Sequence, residues 1–428
     1  MRTTFIASGD SFITRHVAKD GYDGFDALCD LIGKYDVRFA NLEMTFHRQE
    51  GYPSATSGGT WAMTDPTMLD DILRYGFNIF NTANNHSGDF GQGGVSATIR
   101  HLNERNMVFA GTGNTLQEAS RACYLETREA RVALIGVTAT LDPAAIAGGQ
   151  GGDMIGRPGL NPLRFKTVHH VNVEHFAMAK TLSDISQINA RTEQKIRNGY
   201  LNPFPEGTLP LGNMNFLLTD DPEYNETSPN PKDLVRTVEE IKETRRQADV
   251  VLVSVHAHEM KGADSKVAAQ FVETFARACI DAGASAVIGH GPHELRGIEV
   301  YNGGLIFYSL GNFIFQTETV ATQPYDAFVG EICRLIPRLV PIWITVARTA
   351  PRDISFRRIS GERFSRRGPL KTASSKMLLF TRLTLLRKAH ALNGELRSCP
   401  DQHLPWSTSN GYLNLMARSL KFEMVLDT

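Results

Sequence analysis

The chain is poor in cysteine, in net charge and in long apolar runs, and each shortage removes a class of protein. Its 428 residues carry five cysteines, Cys29, Cys123, Cys279, Cys333 and Cys399, with no Cys-x-x-Cys spacing. An odd, dispersed set argues against a disulfide framework and reads as reduced thiols in a cytoplasmic protein. The formal net charge is -1, so the basic surface of a nucleic-acid binder is missing. A local basic cluster, Arg357, Arg358, Arg363, Arg366 and Arg367, reads as solvated surface. No apolar run reaches the ~18 residues of a membrane span, and MRTTFIASGD enters a strand without a charged leader. The expectation is a soluble, cytoplasmic protein with no nucleic-acid and no membrane partner. Internal repeats and low-complexity segments are absent too.

What remains is an alternation of short apolar runs with helical stretches, at 42% hydrophobic content, ample for a large core. Residues 3–7, 37–40, 79–81, 107–110 and 132–137 read as strands, and 24–35, 65–75 and 94–105 as helices. Asp65-Pro66 is a helix start, a capping carboxylate before a first-turn proline. The rhythm breaks at residues 148–231, an insertion with an expected helix at 169–197 and an irregular stretch after it. So long a segment suits a lid bordering an active site. The alternation resumes with helix 231–247, strand 250–255, helix 265–283, strand 286–288 and a hairpin turning at Asn302-Gly303-Gly304. Strands at 327–336 and 341–346 would extend the sheet, and 376–392 and 411–420 read as helices. This predicts an α/β catalytic domain over 1–366 and a helical C-terminal extension over 367–428.

Six strand ends deliver acidic, amide or imidazole side chains: Asp10, Glu43, the Asn84-Asn85-His86 run with Asp89, His256 with His258, His290 with His293, and Asn312 in YSLGNFIF. A carboxylate such as Glu43 after the apolar run 37–40 is costly unless paired or ligated. His256 and His258 are two apart and so share one face of a strand. Gly291-Pro292 forces a bend that can aim His290 and His293 inward. Carboxylate, amide oxygen and imidazole together suit a divalent ion such as Mn, Zn or Ca. Asn312 is expected to close a turn beneath the site, and the remaining histidines to be surface or ordinary core.

The ordered runs GDSFITR, NLE, NNHSGDFG, GTGNTLQEA, GHGPHELRGIEVYNG and YSLGNFIF resemble the CapA family, named for poly-γ-glutamate capsule proteins. That family lies in the calcineurin-like metallophosphoesterase superfamily, and the resemblance covers about residues 1–330. It implies a four-layer α-β-β-α sandwich of two mixed sheets with the site at strand ends. By position it assigns metal binding to Asp10, Glu43, Asn85, His256 and His290, with His293 in the same motif as His290, and the strand face shared with His256 adds His258 to the metal set. It makes His86 an acid or base, paired here with His290 or His293, with Asp10 or Asp89 orienting an imidazole. The chain departs from the pattern at Phe12, where the superfamily has a metal-binding histidine, and at His256-Ala257-His258-Glu259, where CapA relatives show a His-Trp-Gly type of run.

Three activities follow. The first is proton transfer at a peptide Cα: a branch of the family resembles the lasso-peptide epimerases, which invert a residue of a ribosomal precursor peptide. The second is metal-dependent hydrolysis of an amide or γ-glutamyl bond. The third is phosphoester hydrolysis, disfavoured by Phe12. A non-enzymatic binding module has no need of so many convergent imidazoles.

Overall fold

The computed structural model describes residues 3–329 and the two-residue strand Leu383–Thr384. Two six-stranded sheets form the body. In the first, the order is Asn312–Phe315, Thr4–Phe12, Val37–Leu42, Ile79–Asn81 and Phe109–Ala110, all parallel, with Leu383–Thr384 antiparallel to the start of Thr4–Phe12. In the second, Gly304–Phe307, Ala286–His290, Val250–His256 and Arg131–Thr138 run parallel. Ile298–Tyr301 and Cys123–Glu126 close its two edges antiparallel.

Side-chain alternation along these strands sorts the apolar residues into three clusters. Val132, Leu134, Val250 and Leu252 of the second sheet meet Phe5, Val37, Phe39 and Ile79 of the first. The intervening Ile135, Val251, Val253 and Val255 pack instead with Ile241, Phe271 and Phe275, from helices Pro231–Thr244 and Gln270–Asp281. On the first sheet, Ile6, Ala40, Leu42 and Phe80 pack with Phe25, Leu69, Ile72 and Leu102 of three helices. Both sheets are thus covered on both faces, which is why their strands are near-continuous apolar runs. Parallel strands also bring all their carboxyl ends to one edge, where ligands of open α/β sheets bind.

The strand Thr4–Phe12 bulges between Ala7 and Asp10. Gly9 permits this, since a Cβ there would lie 1.8 Å from the Gly311 carbonyl oxygen. The bulge brings Asp10 level with Asn41 on one side and Asn312 on the other.

Five expectations need correction. Residues 265–283 are not one helix: Asp264–Ala268 is a strand paired with Met260–Lys261, and the helix is Gln270–Asp281. The expected helix 169–197 begins as strand Phe165–Val171, followed by helices Val173–Ser186 and Ala190–Arg197. The stretch after it is not irregular: Thr208–Leu211, Met214–Leu218 and Tyr224–Pro229 join Phe165–Val171 in a four-stranded sheet. For Phe165–Val171, pairing partners 45 or more residues downstream decide this, such as His169 with Phe216, and local periodicity carries no trace of them. The expected strand 327–336 starts within helix Tyr325–Val329, and Leu383–Thr384 is a strand where a helix is expected. The strand 341–346, the helix 411–420, the basic cluster and nearly all of the extension 367–428 lie outside the described residues.

Candidate metal centre

Asp10, Glu43, His256 and His290 are fully buried where the two sheets meet at their carboxyl ends. Asp10 is held by two donors: Asn41 Nδ2 reaches Oδ1 at 2.8 Å and the Gly291 amide reaches Oδ2 at 3.0 Å. The same carboxylate lies 3.4 Å from His293 Nδ1, 3.5 Å from His290 Nδ1 and 3.8 Å from His256 Nδ1. Glu43 Oε1 lies 3.7 Å from both His256 Nε2 and His293 Nε2. His256 and His290 are partners in the parallel register, and their Nδ1 atoms approach to 2.9 Å. His256 Nε2 and His258 Nε2 are 3.1 Å apart. Ser254, two residues before His256 on the same strand face, fixes the His290 ring through Nε2 at 2.6 Å.

Three donor groups therefore overlap, each with its ligand atoms within 4.8 Å: Asp10, His256 and His290; Glu43, His256 and His258; Asp10, Glu43 and His293. Both Glu43 oxygens and Asn85 Oδ1 are buried without a hydrogen-bond partner among the described residues. A buried carboxylate with no donor is costly, and a divalent cation would supply what is missing. The donor set of carboxylate, amide oxygen and imidazole fits such an ion.

The electrostatics tell the same story. Burial and the neighbouring Asp10 hold the Glu43 carboxyl well above the usual carboxylate range. Burial and the surrounding imidazoles hold His256 well below the usual histidine value. His258 is lowered to about 4 by burial and then by His293, and His290 to about 4 by burial. Neutral imidazoles are the ligating form. His293 goes the other way. Burial would lower it, but the carboxylates of Glu43 and Asp10 outweigh that and raise it to about 9.

Beside this cluster stands a separate pair. His86 Nδ1 is 2.7 Å from Asp89 Oδ2, and that oxygen also accepts from the Ala62 amide at 2.7 Å. The bond holds the ring and leaves Nε2 for another partner. Asn84 builds the turn, accepting from the His86 amide and donating to the Leu42 carbonyl. Phe12 packs edge-on to His86 with ring centroids 5.6 Å apart. It presents an apolar wall to that ring.

His293 sits in the left-handed backbone region, with φ 59°. A non-glycine residue held there marks a position the surroundings over-determine. Asn312 accounts for part of that: its Oδ1 is 2.8 Å from His293 Nδ1. Asn312 therefore orients an imidazole as well as opening the last strand of the first sheet. The candidate residues fall in this one region, and Asn41, Ser254 and Gly58 join them there through Asp10, His290 and Asn85. Gly58 presses so close to Asn85 that a Cβ would lie 2.5 Å from its Nδ2. Asn41, two residues before Glu43 and on its face of the strand, was within reach of the alternation argument.

These features define a mixed α/β protein with acid/base groups and a candidate metal centre at its strand ends. Residues 4–317 match the family described as bacterial capsule synthesis protein PGA_cap, and the chain belongs to that family. It is 34% identical over 334 residues to the uncharacterized protein y4sH of Sinorhizobium fredii (strain NBRC 101917 / NGR234), covering 76% of this chain and 69% of that protein. The capsule biosynthesis protein CapA of Bacillus anthracis is 26% identical over 253 residues, 59% of this chain and 43% of the relative. The PGA biosynthesis protein CapA of Bacillus subtilis (strain 168) is 27% identical over 321 residues, 74% and 64% of the two chains. A solved structure from Staphylococcus aureus, described as a candidate 5′-nucleotidase in complex with alpha-ketoglutarate, aligns with a TM-score of 0.35 and 11% identity. It covers 72% of this chain and 48% of that one, a likeness too slight to argue from. No helix among the described residues is long and apolar enough to cross a membrane.

Proposed function

We propose that the chain is a metal-dependent acid/base enzyme that acts on a peptide and inverts one of its Cα centres, in a ribosomal precursor peptide of the lasso type. The observation that carries this reading is two separately oriented imidazoles beside one candidate metal centre: His86 on Asp89, and His293 on Asp10 and Asn312. Inversion at carbon needs one group to remove a proton and a second to return one on the other face. His86, with Nδ1 engaged, has Nε2 to take the proton. His293 returns one. A divalent ion held by Asp10, Glu43, Asn85, His256, His258 and His290 would polarise the adjoining carbonyl and so acidify the Cα proton. Phe12 and Phe315 line the imidazoles with apolar surface, which limits competing water.

A second reading is metal-dependent hydrolysis of an amide or γ-glutamyl bond. The names of the Bacillus relatives, capsule and PGA biosynthesis proteins, favour it. Phosphoester hydrolysis ranks third, because Phe12 removes a ligand that the expected two-metal pattern uses.

Mass spectrometry in deuterated water separates the readings. The manganese-loaded protein is incubated with peptides encoded beside its gene and, separately, with γ-glutamyl oligomers. Epimerisation introduces one Cα deuterium and leaves the backbone intact, whereas hydrolysis adds the elements of water. Exchange without cleavage is the expected result, and cleavage without exchange would replace the first reading by the second.

A further inference from the structure

Arg296 lies in the GHGPHELRG run, and the chemistry above does not use it. It is 7% exposed, and the hydrogen bonds of its guanidinium go to main-chain carbonyls. Nη2 donates to His258 at 3.0 Å, Nη1 to Glu259 at 3.0 Å and more weakly to Ala257 at 3.4 Å, and Nε to Ser265 at 2.8 Å. An arginine buried in a protein is ordinarily paired with a carboxylate or phosphate that matches its fork. Here the fork instead gathers three consecutive carbonyls just past the end of strand Val250–His256, and one from the strand Asp264–Ala268. The Ala257 and His258 carbonyls accept from no main-chain amide among the described residues, so the guanidinium replaces a missing ladder there, while the Glu259 carbonyl also accepts from the Ala269 amide at 3.3 Å.

The tie has two consequences. His258 is the one candidate ligand among Asp10, Glu43, His256, His258 and His290 that is not fully buried, and it stands beyond the strand. Its amide is fixed by Thr140 Oγ1 at 2.9 Å, and its carbonyl by Arg296. The second consequence concerns the hairpin of Met260–Lys261 and Asp264–Ala268, whose side chains are nearly all exposed. Arg296 fastens both of its legs, at Glu259 and Ser265. The Arg296 amide also donates to Ser309, and Leu295 bridges to Leu310. The turn carrying His293 and the turn carrying His258 are thereby locked to one another.

We propose that Arg296 is a positioning residue that sets the His258 imidazole against Glu43 and His256 and holds the 260–268 hairpin as one wall of the site. The proposal rests on the metal-centre reading above, and manganese(II) is the probe. Arg296→Met keeps the apolar stem and removes the fork. Manganese affinity, measured by titration with electron paramagnetic resonance, is expected to fall about 10–100-fold, the usual cost of losing a group that orients a ligand. The loss should vanish when the substitution is made in a His258→Ala background, because Arg296 acts through that ring. Hydrogen exchange of the amides at 260–268 should accelerate in the metal-free protein. Arg296→Lys, which reaches fewer carbonyls, should fall between wild type and Arg296→Met, and it serves if the methionine variant does not fold. Unchanged manganese affinity in a folded variant overturns the proposal, and so does an equal loss in the His258→Ala background. If wild type binds no manganese, the metal-centre reading fails first and this proposal with it.

Discussion

The two-sheet body and the insertion 148–231 use apolar side chains in opposite ways. In the body, all seven residues of strand Val250–His256 are buried, and so are all five of Ala286–His290. In the insertion, the helix Val173–Ser186 buries only Ala179 and Ser183. Its Met178, Leu182 and Ile185, spaced to share one face, are exposed. More than half of the large apolar side chains exposed on the described residues lie in this one segment. The body is a scaffold that holds the charged groups of the site through buried hydrogen bonds, as Asn41 Nδ2 and the Gly291 amide hold Asp10. The insertion is a surface built of adaptable contacts, and such division of labour lets specificity change without disturbing the core.

The sharpest way to break the comparison is to place chemistry in the body alone. His86→Ala should lower turnover about 10²–10⁴-fold, the range for a general acid or base, in a protein that stays folded with its manganese content unchanged. Wild-type turnover would remove His86 from the mechanism. By contrast, substitutions on the exposed helix face should leave single-turnover chemistry alone once peptide is saturating.

The seam between the two regions gives the next largest effect. Asp233 is fully buried and accepts from the Arg164 amide at 2.9 Å, Arg164 Nε and Nη2 at 2.8 Å each, and Arg236 Nη1 at 2.9 Å. Arg164 is at the edge of the insertion's sheet and Asp233 on the helix Pro231–Thr244. Phe165 stacks on Phe271 at 4.2 Å beside them. Burial would raise the Asp233 carboxyl, but the two guanidiniums and the Arg164 amide outweigh it and hold it below its ordinary value. Its stabilising contribution is therefore complete above about pH 4 and is lost as pH falls through the lowered folded value. Asp233→Ala should cost about 1.5–3 kcal/mol in denaturant titration at neutral pH, the range for hydrogen bonds to charged groups, since it takes the shared acceptor from Arg236 and the half-exposed Arg164. Asp233→Asn should also flatten the acid limb of the stability profile. A variant as stable as wild type would show that the seam contributes little.

How far the sequence revealed this follows the range of the interactions. Strand Ile79–Asn81 was legible to the residue, because a buried parallel strand is an apolar run with sharp ends. The turn at Asn302-Gly303 was legible because both residues take positive φ, 45° and 79°. His256 and His290 were legible as strand ends, although their pairing in register was not. The hairpin after Glu259 was missed, since Asp264–Ala268 has no alternation of its own and is a strand only through Met260–Lys261. The hairpin at Gly212-Asn213 was missed although its signal was present: two short apolar runs flank a two-residue turn, with Gly212 at φ 61°. Arg296 was hidden for a different reason. Nothing local distinguishes an arginine that binds carbonyls from one on the surface.

The smallest expected effect tests the insertion's part in the comparison. Shortening residues 202–230 would remove strands of a folded sheet, so point changes on the exposed face are the cleaner probe. Met178→Ser, Leu182→Ser and Ile185→Ser touch little of the core, and each should change stability by no more than about 0.5 kcal/mol. If the face docks a peptide substrate, the triple variant should weaken peptide binding strongly, because a flexible ligand depends on contacts spread along its length. Manganese content and the exchange of Cα protons at saturating peptide should stay as in wild type. Calorimetric titration with the peptide that shows deuterium exchange reads the affinity, and sedimentation reads the assembly state on the same samples. Lost peptide affinity with an unchanged sedimentation coefficient supports substrate docking. Unchanged affinity with a smaller particle would make the same stripe a contact between copies of the chain and would take the peptide off this face.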